Sequence, residues 1–197
     1  MKHSRVRFIF AGAALLLVVP PFLFGAAWPS YSAVRDYISE LGAAGAPHAA
    51  LVNFSFIAAG AAHVAACVAL NRVLPNGRTV WIALLLLSAV GWAYLGAAAA
   101  PCDPGCPETG SAQQAVHNLI GLLGYLLGGV GLITLGWSTR RVSVVGPAGI
   151  LAGLVLLGAL TVMAMPEFQE VRGLAQRLGG GTVIAWMLLA AWRGRPL

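Results

Sequence analysis

Long apolar runs separated by short polar breaks make up nearly the whole chain. Six of them approach the roughly 20 residues a helix needs to cross a bilayer: about Val6 to Trp28, Ala49 to Leu70, Thr79 to Ala100, Ala115 to Trp137, Val144 to Met165 and Leu174 to Trp192. Hydrocarbon offers no water to backbone N–H and C=O groups, so each run is predicted to be a helix. Runs of this length, rich in Leu, Ala and Gly, also lack the alternation of barrel strands. One break has a period of its own: between Trp28 and His48, the residues Val34, Tyr37, Ile38 and Leu41 recur at helical spacing. That pattern predicts a short helix lying in the membrane interface. The fold expected is all-α, a single domain over residues 1–197 with six transmembrane helices and this interfacial helix in the first outer loop.

Charge orients the bundle. Lys2, Arg5, Arg7, Arg72, Arg78, Arg140, Arg141, Arg193 and Arg195 fall in one alternating set of breaks with no acid among them. Arg35, Asp36, Glu40, Asp103, Glu108, Glu167, Glu170, Arg172 and Arg177 fall in the other. Short cytoplasmic loops retain Lys and Arg, so both termini are expected in the cytoplasm and the protein in the cell (inner) membrane. Trp28, Trp81, Trp137 and Trp192 sit near predicted span ends, where an amphipathic ring is comfortable.

Composition agrees: 59% of the residues are hydrophobic and 9% charged, against about a quarter charged in a soluble domain. The net charge of +6 is spread in pairs and triplets at span ends, so topology accounts for it and no nucleic-acid partner is expected. The first run, with its basic flank and Gly25-Ala26-Ala27, also resembles a secretory signal. Its apolar stretch is longer than a usual signal core, so it is read as a retained anchor, with Pro20-Pro21 kinking its outer end.

Within the spans the signals are for packing. Gly124 and Gly128, like Gly149 and Gly153, have the small-xxx-small spacing that lets helix backbones touch. No Asp, Glu, Lys or Arg lies deep in any span, which weighs against a proton relay or ion-coupled pump. His63 reads as a neutral imidazole bonded to a neighbouring helix, and Cys67, one turn on, as a small packing residue.

The candidate chemistry is in the outer loops. Asp36 and Glu40 are four apart, so a helix would place them on one face; that pair calls for Arg35, Arg172, Arg177 or a cation beside it. Gly42, Gly45 and Pro47 then turn the chain into the second span. Cys102 and Cys106 flank an Asp-Pro-Gly turn in a loop exposed to an oxidising compartment, and a disulfide is expected between them. His117 falls one to two turns inside the fourth span, where it can reach the first loop. His48 stands at the start of the second span with Asn53 deeper, and Gln176-Arg177 opens the sixth. These groups could converge on one outward-facing polar pocket.

Asp36-Tyr-Ile-Ser-Glu-Leu-Gly42 with Asn53 downstream, Pro101-Cys-Asp103 followed by His117, and Gly173-Leu-Ala-Gln-Arg177 before the last span together resemble the bacterial and archaeal domain-of-unknown-function 998 family. The resemblance covers nearly the whole chain. It implies a six-helix multipass membrane protein with its recurrent polar residues gathered on the outer side, and it implies no reaction. Gln176 stands where an acid before the arginine is more usual.

Three functions fit this reading. The first is binding of a membrane lipid or other amphiphile, its head held by Arg177, Asn53, His48 and the carboxylates. The second is a membrane-embedded hydrolase or transferase on a lipid head group, with Asp36 or Glu40 as base, His117 as acid, base or metal ligand, and Asp103 orienting it. A small-solute transporter is the third. No nucleophile elbow, phosphate loop or zinc-protease signature is present, Ser39 would act as a nucleophile only if a histidine reached it, and no cofactor or metal is named by the sequence. Homo-oligomerisation is left open.

Overall fold

The computed structural model of the protein describes residues 2–141 and 144–193, with side chains from Arg7 onward, so Arg195 of the basic set lies outside the described residues. Six helices follow in order: α1 Lys2–Ala26, α2 Ala49–Leu70, α3 Arg78–Ala99, α4 Ala112–Thr139, α5 Val145–Ala164 and α6 Arg172–Arg193. There is no strand among the described residues, and all six helices are long and apolar enough to cross a membrane. The chain is therefore a multipass membrane protein. α4 starts three residues before its predicted run because Ser111 caps it, its hydroxyl accepting the Gln114 N–H at 3.1 Å.

Each helix packs against its neighbours in the chain, and α6 returns to α1 to close a ring; the α1–α6 seam is the sparsest of these contacts. The α2–α3, α3–α4, α4–α5 and α5–α6 seams are held by small residues, as expected where lipid supplies no hydrophobic drive between helices. A Cβ on Gly153 of α5 would come within 2.7 Å of the Gly129 carbonyl on α4, and one on Gly128 within 2.5 Å of Val90 on α3. Gly149 lies against the Trp186 indole, whose Nε1 donates to the Val145 carbonyl at 2.9 Å and joins α5 to α6. His63 is fully buried with Nε2 3.2 Å from the Leu87 carbonyl of α3, and Cys67 packs in the core.

The two ends of the bundle differ. At the end carrying the described termini, Phe10, Leu70, Leu84, Leu135, Val145, Trp186 and Met187 form one continuous buried cluster. Outside it, Arg140 stacks 3.8 Å from the Trp137 ring centroid and Arg7 5.9 Å from that of Trp192, both tryptophans half exposed at span ends. At the opposite end the core thins to Ile38, Leu41, Val52 and Phe56 beneath the first loop.

The helix of that first loop is shorter than its hydrophobic period suggests: a 3₁₀ segment over Ile38–Gly42, after a turn through residues 33–35. Tyr37 is extended, at φ −63° and ψ 151°, so Asp36 and Glu40 do not share a helix face. Side-chain bonds to the backbone compete with the α-helix here. The Asp36 carboxylate accepts the Ser32 N–H at 2.7 Å and the Glu40 carboxylate the Tyr37 N–H at 3.0 Å.

Close packing at the small residues makes a direct prediction. Gly153→Val should lower the melting temperature in detergent clearly, an overpacking effect of about 1–3 kcal/mol. Gly158→Ala, whose Cβ meets nothing within 4 Å, should leave it unchanged. Equal melting curves for the two variants would refute the close-contact account.

Candidate functional site

The loops at the open end are tied to one another residue by residue. The first loop docks on the start of α6: the Gly173 and Leu174 N–H groups donate to the carbonyls of Arg35 at 3.2 Å and Val34 at 2.8 Å. Gln176 accepts the Ile38 N–H through its side-chain oxygen. Arg177 donates to the Asp36 carbonyl at 2.9 Å, to the Gly173 carbonyl at 3.0 Å and to the Tyr31 hydroxyl. Tyr31 in turn donates to the Tyr37 carbonyl at 3.0 Å.

The two carboxylates proposed for acid–base work each hold their own arginine. Asp36 pairs with Arg35 at 2.7 Å, and Glu40 with Arg172 at 3.3 Å, whose guanidinium also lies 4.5 Å from the Tyr37 ring centroid. Arg172 reaches the Gly105 carbonyl as well, so one side chain links the first and second loops to α6. Arg177 meets the backbone carbonyl of Asp36, not its carboxylate. Neither ion pair among the described residues includes Arg177.

The second loop carries a Cys102–Cys106 disulfide with its Cα atoms 5.1 Å apart. Asp103 is spent on the cap of α4, accepting the Ser111 N–H and hydroxyl at 2.8 Å each, while its own N–H donates to buried Gln114 at 2.7 Å. His117 Nδ1 lies 2.8 Å from the Ala100 carbonyl, so that nitrogen carries the proton and Nε2 keeps a free lone pair. Ser39 comes across from the first loop, its Oγ 3.4 Å from Cys106 Sγ. His48 is exposed with φ 61°, its ring 6.0 Å from that of Phe24. Asn53 donates to the Gly42 carbonyl at 2.9 Å and holds the 3₁₀ segment onto α2.

Three neighbouring cavities lie under these loops. A central chamber of about 90 Å³ is lined by Ile38, Ser39, Phe56, Tyr94, His117, Tyr125 and Gln176 among others. A groove of about 610 Å³ runs along the α1–α6 seam past Leu17, Pro21, Phe22, Gly181 and Ile184, with Tyr31 and Arg177 at its loop end. It shares Ile38, Tyr94 and Gly180 with the chamber. A third cavity of about 420 Å³ lies between α4 and α5, lined by Cys106, Glu108, Asn118, Leu122, Leu160 and Met163, and shares Ser39, His117, Tyr125 and Gln176 with the chamber.

Residues 10–193 match the family described as protein of unknown function (DUF998). The chain belongs to that family. No curated protein and no solved structure matches it. As a DUF998 protein it therefore takes its functional reading from its own residues.

Of those proposed from sequence, Arg177 lines the groove and His117 the other two cavities. Asp36, Glu40, Asp103 and Asn53 are engaged in loop and cap contacts. Sequence reasoning passed over Tyr31, Gln114 and the linking role of Arg172. Gln114 had a signal, since Ser111-x-x-Gln114 has capping-box spacing; Tyr31 had none.

The carboxylates titrate in opposite directions. Burial would raise Asp36, but the Arg35 hydrogen bond, the Ser32 N–H and the arginine charges outweigh it and lower its pKa. Burial dominates for Glu40 and raises it, despite the Tyr37 N–H and Arg172. Asp36 thus contributes stability present above its unfolded pKa and lost as pH falls through the folded value; Glu40 contributes stability present below its unfolded pKa and lost as pH rises through the folded one. Melting curves across the acid range should show the wild type's advantage over Asp36→Asn closing on acidification, while its standing relative to Glu40→Gln improves. Parallel shifts for the two variants would contradict this assignment.

Proposed function

We propose that the protein binds a membrane lipid or similar amphiphile with an anionic head, its tail in the α1–α6 groove and its head at Arg177. The observation that carries this is the guanidinium at the loop end of an apolar groove, donating to neutral oxygens only. A partly buried cation without a carboxylate partner favours an anionic ligand, and the Tyr31 hydroxyl beside it adds a second polar contact. The groove's 610 Å³ falls within the roughly 300–1,000 Å³ of small-molecule sites. The apolar lining suits an acyl or prenyl chain entering sideways from the bilayer, since the seam between α1 and α6 is the sparsest in the ring. The binding site lies in the outer leaflet of the cell membrane, both termini being cytoplasmic by the arginine-rich short loops.

Native mass spectrometry of protein in mild detergent, with lipid extraction from the same sample, tests the ligand. Gly181→Leu fills the groove where a Cβ meets nothing within 4 Å, so it should remove the bound lipid without lowering the melting temperature. Arg177→Lys should keep a weakened signal. Lipid retained undiminished in Gly181→Leu would overturn the groove as the site, and absence of any bound anionic amphiphile from the wild type would overturn the function.

Orientation is tested separately in a background without native thiols. Exposed positions Ser30→Cys and Thr109→Cys should react with an impermeant reagent in intact cells, and exposed Asn76→Cys should not. Labelling at residue 76 would invert the bundle.

A further inference from the structure

Cys102, Cys106 and His117 form a cluster of three metal-ligating side chains whose ligand atoms all lie within 4.8 Å of one another. Ligands on one tetrahedral zinc, each about 2.0–2.3 Å from the metal, sit about 3.5 Å apart or slightly more, so the two sulfurs, bonded in the disulfide, would separate to that spacing on reduction while the imidazole closes by no more than roughly 1 Å. The surroundings fit such a site. Nδ1 of His117 is committed to the Ala100 carbonyl at 2.8 Å, which fixes the ring and leaves Nε2 as the basic nitrogen, the arrangement that orients a metal-binding imidazole. Ser39 supplies both sulfurs with neighbours: its Oγ is 3.4 Å from Cys106 Sγ and its carbonyl oxygen 3.6 Å from Cys102 Sγ. The serine hydroxyl can donate to a Cys106 thiolate, while the carbonyl can accept from a Cys102 thiol only in the metal-free dithiol, before a cation displaces its proton.

We propose that Cys102, Cys106 and His117 are a redox-conditional site for one closed-shell thiophilic cation, Zn2+ or Cu+, bound by the dithiol form and excluded by the disulfide. A disulfide sulfur is no thiolate and ligates poorly. A dithiol reductant delivers two electrons and two protons to the S–S bond and is itself oxidised to a disulfide; the cation then displaces the two thiol protons, which leave to solvent. Cys106, His117 and Ser39 all line the cavity between α4 and α5, which gives reductant and cation a path to otherwise buried sulfurs. Three protein ligands leave the fourth position to water, the open coordination found where zinc does chemistry. The site shares no ligand with the lipid groove, so either proposal can fail without the other.

The test uses full-length protein in mild detergent, reduced with dithiothreitol, freed of it by anaerobic gel filtration, and titrated with Zn2+ against a chromophoric chelator. Reduced wild type and Cys67→Ser should bind about one zinc per chain, and oxidised wild type and Cys102→Ser should bind none. His117→Ala should bind at least about tenfold more weakly. Zinc X-ray absorption of the reduced wild type should show sulfur and imidazole scattering together, a readout that stands even where His117→Ala fails to fold. Absence of zinc from the reduced wild type, unchanged affinity in a folded His117→Ala, or a zinc shell without imidazole would each overturn the proposal.

Discussion

Contact between the backbone of residues 34–36 and the first turn of α6 closes the bundle. The N–H groups that begin a helix have no partner inside it, and here two of them, on Gly173 and Leu174, find carbonyls in the first loop. The approach is so close that any side chain at residue 173 would collide with the Asp36 backbone. Arg177, one turn on, seals the junction through the Asp36 carbonyl. Once that junction is made, the position of Tyr31 at the groove, of Ile38 and Ser39 over the chamber, and of Glu40 beside Arg172 all follow.

A bundle built on small residues has a consequence for where space remains. Glycine and alanine bring α3, α4 and α5 into backbone contact, and the apolar side chains near the described termini fill what is left. Toward the loops a cavity remains among Phe56, Tyr94 and Tyr125, and side chains no longer fill the ring. The loops then roof a chamber that shares lining residues with a cavity on each of two sides. Solid packing at one end gives rigidity, and the site occupies the end where that packing stops.

The polar rim divides its labour. Asp36, Glu40, Asp103 and Asn53 satisfy backbone groups and arginines that would otherwise be stranded near a low-dielectric boundary. Arg177 and His117 are the residues with capacity to spare, one a cation held by neutral oxygens, the other an imidazole with one unengaged nitrogen beside two cysteines. The two lie against different cavities. This separation lets the proposed lipid site and the proposed metal site share one rim without sharing a ligand.

Six helices and their approximate ends were legible in the chain because hydrocarbon leaves a backbone no alternative to pairing within itself, and because a span needs about 20 apolar residues. The small-xxx-small pairs at Gly124/Gly128 and Gly149/Gly153 announced the tight seams for the same reason, and the Cys102–Cys106 spacing announced the disulfide. The 3₁₀ segment was not legible: its apolar spacing reads as α-helix, and only the Asp36 and Glu40 bonds to nearby N–H groups break that pattern. Which arginine meets which carboxylate was equally hidden, since Arg35, Arg172 and Arg177 are chemically alike in sequence. Their distinct roles come from the docking of α6 on the first loop, a contact between residues more than a hundred positions apart that no local pattern encodes.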